Sequence, residues 1–198
     1  MNGIVLEKGQ RINLSKQVAN LQQVSVTIGW KANTADTGTD FDVDVSAFIC
    51  KANEKNDPVL IGNKWFIFYN EYSSPDGSVV HQGDDTTGGS GGDCEEIVVN
   101  LTEHDLRIQE ISFIVTIHDA VNRKQNFGQI RDAYVKITNK IDGVVIATYD
   151  LSNDFSTETA IQVGSLYKKD ADWLFQAVGT GYKLGLEAFV RQYGGELV

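Results

Sequence analysis

The chain has 198 residues, with 17 Lys plus Arg against 27 Asp plus Glu, a net charge of −10. That sign excludes a phosphate-driven nucleic-acid binder, whose affinity comes from cations that displace counterions. Hydrophobic content of 41% with 22% charged residues lies away from the compositions that stay disordered, so a single folded domain over 1–198 is expected.

The opening residues, Met1-Asn2-Gly3-Ile4-Val5-Leu6-Glu7-Lys8, show no charged segment leading into an apolar run, and no stretch reaches the roughly 18 apolar residues of a spanning helix. A cytoplasmic protein without direct membrane insertion is expected. Val24, Val26, Ile28 and Trp30 then alternate with Gln23, Ser25, Thr27 and Gly29, the period of a strand with one wet face. Phe41, Val43, Val45, Ala47 and Ile49 alternate in turn with Asp40, Asp42, Asp44 and Ser46. This pattern predicts a strand with the core on one face and a column of carboxylates on the other.

Further strands are expected at 64–70, 95–101, 110–118, 133–139, 144–151 and 173–178, separated by turn chemistry such as Pro75-Asp76-Gly77. Asp142-Gly143 between two such runs predicts a tight hairpin. Helical spacing is confined to 102–106, with Thr102 as N-cap, and 180–193, through Tyr182, Leu186, Phe189, Val190 and Tyr193. The expected fold is mainly all-β: an antiparallel β-sandwich of two sheets with one or two short helices, one near the C-terminus.

Charge is distributed unevenly. Residues 66–105 hold Glu71, Asp76, Asp84, Asp85, Asp93, Glu95, Glu96, Glu103 and Asp105 without one Lys or Arg, and residues 32–50 also lack any base. Alternate strand residues stand roughly 6.5–7 Å apart. Two unit charges at about 7 Å repel by roughly 2.4 kcal/mol at an effective dielectric near 20, against about 0.6 in bulk water. A solvated acidic surface tolerates that cost. A covered one needs a positive partner, either a distant base such as Arg123 or Arg131 or a hard divalent cation.

The glycine-rich stretch Gly88-Gly89-Ser90-Gly91-Gly92, flanked by acids, suits the cation: glycines turn the backbone so that carbonyls point inward, and carboxylates supply hard oxygens, the donor set of Ca2+. The EF-hand spacing is absent, so the ligands must come from separate loops. Cys50 and Cys94 have no paired metal spacing and read as free thiols, with zinc or a bridge as the alternative. His118-Asp119 reads as structural, because strand neighbours face opposite ways. His81 is expected to bond loop carbonyls, 123–129 to brace the acidic site rather than to bind an anion, and Ser156-Thr157-Glu158 to form a turn or a helix start rather than an active site.

The stretches Thr39-Asp40-Phe41-Asp42-Val43-Asp44-Val45-Ser46-Ala47-Phe48, Phe68-Tyr69-Asn70, Ser74-Pro75-Asp76-Gly77-Ser78-Val79-Val80-His81, Gly83-Asp84-Asp85-Thr86-Thr87-Gly88, Val115-Thr116-Ile117-His118-Asp119-Ala120, Gln125-Asn126-Phe127-Gly128-Gln129-Ile130 and Asp154-Phe155-Ser156-Thr157-Glu158-Thr159-Ala160 resemble, in order, those of the TerD family of tellurium-resistance and general stress proteins. The resemblance implies a bacterial cytoplasmic β-sandwich that binds Ca2+, one or two ions, in its acidic loops. Asp85 stands where the family pattern has Asn, Gly91 and Cys94 stand where it has acids, and Glu96 is added. The expected ligands are Asp42, Asp44, Asp76, Asp84, Asp85, Asp93, Glu95 and Glu96, with Asp40, Asn70 and Asp119 as second choices. The functional expectation is a non-enzymatic, Ca2+-ordered module that binds other stress-response proteins. The alternative is a thiol-dependent redox or hydrolytic enzyme acting in tellurite detoxification.

Overall fold

The computed structural model describes residues 3–32, 41–83, 93–151, 155–183 and 185–196, with backbone alone at 32, 93 and 94. In chain order the strands are β1 (Ile4–Leu6), β2 (Arg11–Asn13), β3 (Gln23–Ala32), β4 (Val43–Ala52), β5 (Pro58–Leu60), β6 (Phe66–Ile67), β7 (Val79–His81), β8 (Asp93–Asn100), β9 (Glu110–Ile117), β10 (Ile130–Asn139), β11 (Val145–Asp150), β12 (Ala160–Lys169) and β13 (Asp172–Tyr182). Three short helices join them: α1 (Leu14–Gln17), α2 (Ala120–Arg123) and α3 (Leu186–Gln192).

The strands form two sheets. The first runs β1-β11-β10-β3-β8-β7, and the second runs β2-β13-β12-β9-β4-β5 with β6 also on β4. Pairing is antiparallel except where β1 lies parallel to β11. Val24, Val26, Ile28, Ile97, Val99, Val135 and Ile137 of the first sheet and Val43, Val45, Ala47, Ile49, Phe113, Val115 and Phe175 of the second belong to one buried core. The sandwich expected from alternation is therefore present, and the alternating phases of β3 and β4 do mark core positions.

The opposite faces of these two strands are drier than expected. Ser25 and Thr27 of β3 are buried, with Glu96 and Lys140 closing over them: Ser25 Oγ donates to Glu96, whose carboxylate accepts from Lys140 Nζ at 2.7 and 2.9 Å. On β4 the even positions Asp44, Ser46, Phe48 and Cys50 are buried too. The reason is α3, whose Phe189 stands 6.5 Å from the Phe48 ring, with Tyr193 just beyond the helix at 4.9 Å. Phe48, on the face of β4 that carries Asp42 and Asp44, thus lies under α3.

Several boundaries moved. Residues 102–106 form bends and the start of a turn rather than a helix, because Asn100 Oδ1 accepts from Thr102 N, Thr102 Oγ1 and Glu103 N at 2.9–3.0 Å, a side-chain turn that satisfies the same amides a helix cap would. The 180–193 stretch splits: β13 continues to Tyr182 because it pairs with Ala160, Ile161 and Gln162 of β12, and the helix begins only at Leu186. The 64–70 stretch becomes a 3-10 turn at Asn63–Trp65 followed by the two-residue β6. The expected hairpin joins β10 to β11, with Gly143 at φ +73 and Asp142 Oδ1 accepting from Val144 N at 2.9 Å.

Candidate functional site

The acidic end of the molecule is built on the start of β4. Asp44 lies opposite Thr116 of β9, and the Asp42 carbonyl accepts from His118 N at 2.8 Å, so this segment is held on its β9 side by the backbone ladder. On an antiparallel strand the next amide points the other way. Val45 N–H does so and donates to Glu95 Oε2. Glu95 belongs to β8 of the other sheet, so its carboxylate crosses between the sheets and lands on the backbone beside Asp44.

Glu95 is 2% exposed and Asp44 5%. His81, also buried, lies beside Glu95, with Nε2 3.7 Å from Glu95 Oε2. Its Nδ1 accepts from Gly83 N at 3.2 Å, which puts the proton of the neutral ring on Nε2, facing Glu95. The expected bond from His81 to a loop carbonyl is replaced by one in which its ring accepts from a loop amide. Above Asp44 opens a cleft of about 250 Å³ lined by Asp44, Tyr69, Thr116, His118, Asp119 and Leu186 among others.

A base does approach. Arg123 ends α2, and its Nη1 stands 3.8 Å from Asp42 Oδ2. The 123–129 loop that carries it onward is tied to the 155–159 turn: Phe127 N donates to Glu158 O at 2.9 Å, and Glu158 Oε2 accepts from Ser156 N and Thr157 N at 2.8 and 2.9 Å. Ser156-Thr157-Glu158 is thus a carboxylate-pinned turn, as its sequence suggested. Asp119 is exposed in the left-handed region at φ +51 and accepts from Asn122 Nδ2 at 2.7 Å. His118 is exposed beyond the end of β9, with its ring edge-on to Tyr69.

The remaining expected ligands are scattered. Asp76 takes hydrogen bonds from Ser74 Oγ, Ser78 N, Ser78 Oγ and Asp105 N, which pins the 74–78 turn to the 105 loop. Partial burial alone pushes its carboxyl up, but these donors together outweigh it and hold the group below the ordinary carboxylate value. Glu96 faces away from Glu95 and is held by Ser25 and Lys140. Asn70 is exposed in the turn after β6. Asp93 begins β8 opposite Gly29, its side chain outside the description, while Asp40, Asp84 and Asp85 lie outside the described residues altogether.

Asp42, Asp44 and Glu95 together offer hard carboxylate oxygens, a set whose chemistry fits Ca2+ rather than a soft metal. Among the described residues no three carboxylate, imidazole or thiol groups converge on one point. Cys50 lies further along β4, its Sγ 3.4 Å from Phe48 O, and burial first, then the charge of Glu110, push its thiol well up. The sequence carried one unread signal: Glu95 shares its phase with Ile97 and Val99, which marks a carboxylate on the core face of a strand.

A TerD domain family model matches residues 2–193. "General stress protein 16U" of Bacillus subtilis (strain 168) is 45% identical over 191 residues, covering 96% of this chain and 97% of that protein. "Tellurium resistance protein TerD" of Serratia marcescens is 43% identical over 191 residues, with the same coverage. Among solved structures, a homologue of telluride resistance protein (TerD) from Streptomyces coelicolor A3(2) superposes with a TM-score of 0.69 at 19% identity, over 89% of this chain and all of that one. The sandwich is thus shared with that solved structure, and the chain belongs to the TerD family of tellurium-resistance and general stress proteins.

Proposed function

We propose that the protein is a non-enzymatic, Ca2+-ordered interaction module of the stress response. The observation that carries this reading is the buried Glu95 carboxylate seated on the β4 edge beside Asp44, at the end of the sandwich served by two stretches, 32–50 and 66–105, that hold no Lys or Arg. Concentrating acids in that way costs stability unless a cation is shared among them. Asp42, Asp44 and Glu95 do not converge on one point, so each would supply only part of a ligand set, with Asp84, Asp85 and Asp93 of the glycine-rich segment supplying further oxygens. Bound Ca2+ neutralises these groups and orders the acidic segments, and the surface so formed takes a partner protein from the same response.

The names of the relatives, tellurium resistance and general stress, support a role in defence. A thiol mechanism through Cys50 is disfavoured, because a nucleophilic or redox-active sulfur must ionise, and burial opposes this. The direct test is calorimetry and thermal unfolding in EGTA against added Ca2+. Heat uptake that saturates, with a rise in Tm, is expected. An absence of heat together with an unchanged Tm and unchanged amide resonances removes the proposal.

A further inference from the structure

On the outer face of the second sheet, α3 and Tyr193 pack over Phe48 of β4. Beside them the face carries a cleft of about 410 Å³ lined by Arg11, Glu110, Gln162, Ser165, Tyr167 and Gln176, with Val178 as its one apolar side chain. We infer that this cleft binds a neutral, polyhydroxylated ligand of the oligosaccharide class. The site goes beyond the calcium reading and shares no residue with it.

Register assembles the cleft. Arg11 lies opposite Gln176, Gln176 opposite Ser165, and Ser165 opposite Ser112, so one polar row crosses β2, β13, β12 and β9, with Tyr167 opposite Glu110 in the next outward row. At about 4.8 Å between strands the row spans roughly 14 Å. Strict alternation would turn Gln162 away from Ser165 and Tyr167. Val163 prevents this: β12 advances from Gln162 to Gly164 while β9 advances only from Ile114 to Phe113, and the extra residue brings Gln162 onto the outer face. Such a bulge re-aims a side chain at the expense of ladder bonds, and a merely solvated face needs none.

Gln162 is then fixed from behind. Its Nε2 donates to Tyr193 OH at 3.2 Å and Ser112 Oγ at 3.3 Å, Tyr193 OH donates to Ser112 Oγ at 3.0 Å, and Ser112 Oγ donates to Glu110 Oε1 at 2.9 Å. Ser112, Ser165 and Tyr193 are buried. Because the single Ser112 proton goes to Glu110, Ser165 is the donor in its 2.9 Å contact with Ser112. Among the described residues no hydrogen bond engages Gln162 Oε1, Glu110 Oε2 or the side chains of Arg11 and Gln176.

Open donors thus stand beside open acceptors. A hydroxyl satisfies both kinds through one oxygen. An anion only accepts and meets Glu110, a cation only donates and meets Arg11, and an apolar ligand leaves all of these groups unpaired. Adjacent sugar hydroxyls match the planar amide and guanidinium forks, and Tyr167 offers an amphipathic ring to pack on a sugar face. An extended peptide draws its affinity from a sheet edge and from apolar pockets, whereas this cleft crosses a sheet face. A second cleft of about 280 Å³ shares Glu110 and Tyr167 and leads to Pro58, which gives room for more than one ring.

The test is calorimetry with amide-shift mapping on the full chain, against maltotetraose, cellotetraose and mannotetraose, with trigalacturonate and tetraglycine as the anionic and peptide comparisons. At least one neutral sugar is expected to give saturable heat, with shifts gathered at 10–12, 110–112, 162–167 and 174–178. Gln162→Ala and Gln176→Ala should each weaken that sugar about three- to tenfold. Gln176→Ala should do so with an unchanged Tm, since its side chain takes no part in the network behind the cleft. Absence of heat with all three sugars, shifts located elsewhere, or variants that bind like the parent overturn the inference. Tighter binding of trigalacturonate or tetraglycine at the same residues overturns it as well.

Discussion

Glu95 and Glu96 occupy consecutive positions of β8, and strand alternation sends them to opposite faces. One crosses between the sheets to the Val45 amide, the other closes on Lys140 over a serine-threonine floor. Identical side chains thus take different work from a single step of phase. Asp76 shows a third use of a carboxylate, as a clamp with four donors drawn from Ser74, Ser78 and Asp105. Because these bonds depress its folded pKa, the stability they provide is present above the unfolded value of about 3.9 and is lost as pH falls through the lower folded value. Asp76→Asn keeps the size but turns an amide toward donors. It is expected to cost about 1 kcal/mol at neutral pH, discounted for exposure, and to converge with the parent only at an acid pH below the lowered folded value. Urea unfolding at both pH values measures the difference, and a cost that persists unchanged in acid counts against the clamp.

At the scale of elements, what could be read from the sequence depended on a sustained apolar pattern bounded by clear turn residues. β9 carries a near-continuous apolar run buried on both faces, β10 alternates through Ala133, Val135 and Ile137, and Asp142-Gly143 marks the turn into β11, so all three were legible. β12 was not, because a register shift between Gln162 and Gly164 breaks its period where it pairs with both β9 and β13. The acids of the site were legible as a concentration of charge, and Glu95 by its phase. The Arg123–Asp42 contact follows no spacing pattern, since the fold alone joins α2 to β4. The junction that positions α2 makes its own prediction at Gly128. A Cβ there would stand 2.4 Å from Ser156 O and 2.9 Å from Ser156 C, backbone atoms of a turn already pinned by Glu158. Gly128→Ala is expected to cost about 2–3 kcal/mol, a fall in Tm of roughly 4–12 °C. A Tm within a degree or two of the parent would show that the two loops move independently.

For the whole molecule, the sheet order decides where an ion can act. β4 and β8 lie one strand in from the edges of their respective sheets, and Glu95 ties them across the sandwich, while β1, β2 and α1 belong to the opposite edges. The core joining both edges is continuous, with Val45, Val26 and Ile97 fully buried within it. A stabilising ligand raises the free energy of global unfolding everywhere by mass action, but it slows local openings only where its own contacts lie. Hydrogen exchange under native conditions separates the two. On adding Ca2+, amides of residues 43–46, 81–83 and 95–97 are expected to slow by tenfold or more, an effect of about 1.4 kcal/mol. The Val45 amide leads, since its acceptor is the Glu95 carboxylate itself. Exchange at β1, β11 and β2, in so far as it proceeds through local fraying, should stay unchanged. Slowing of the same size at both edges would mean that the ion acts through the core as a whole, and the acidic end would lose its place as the point of attachment.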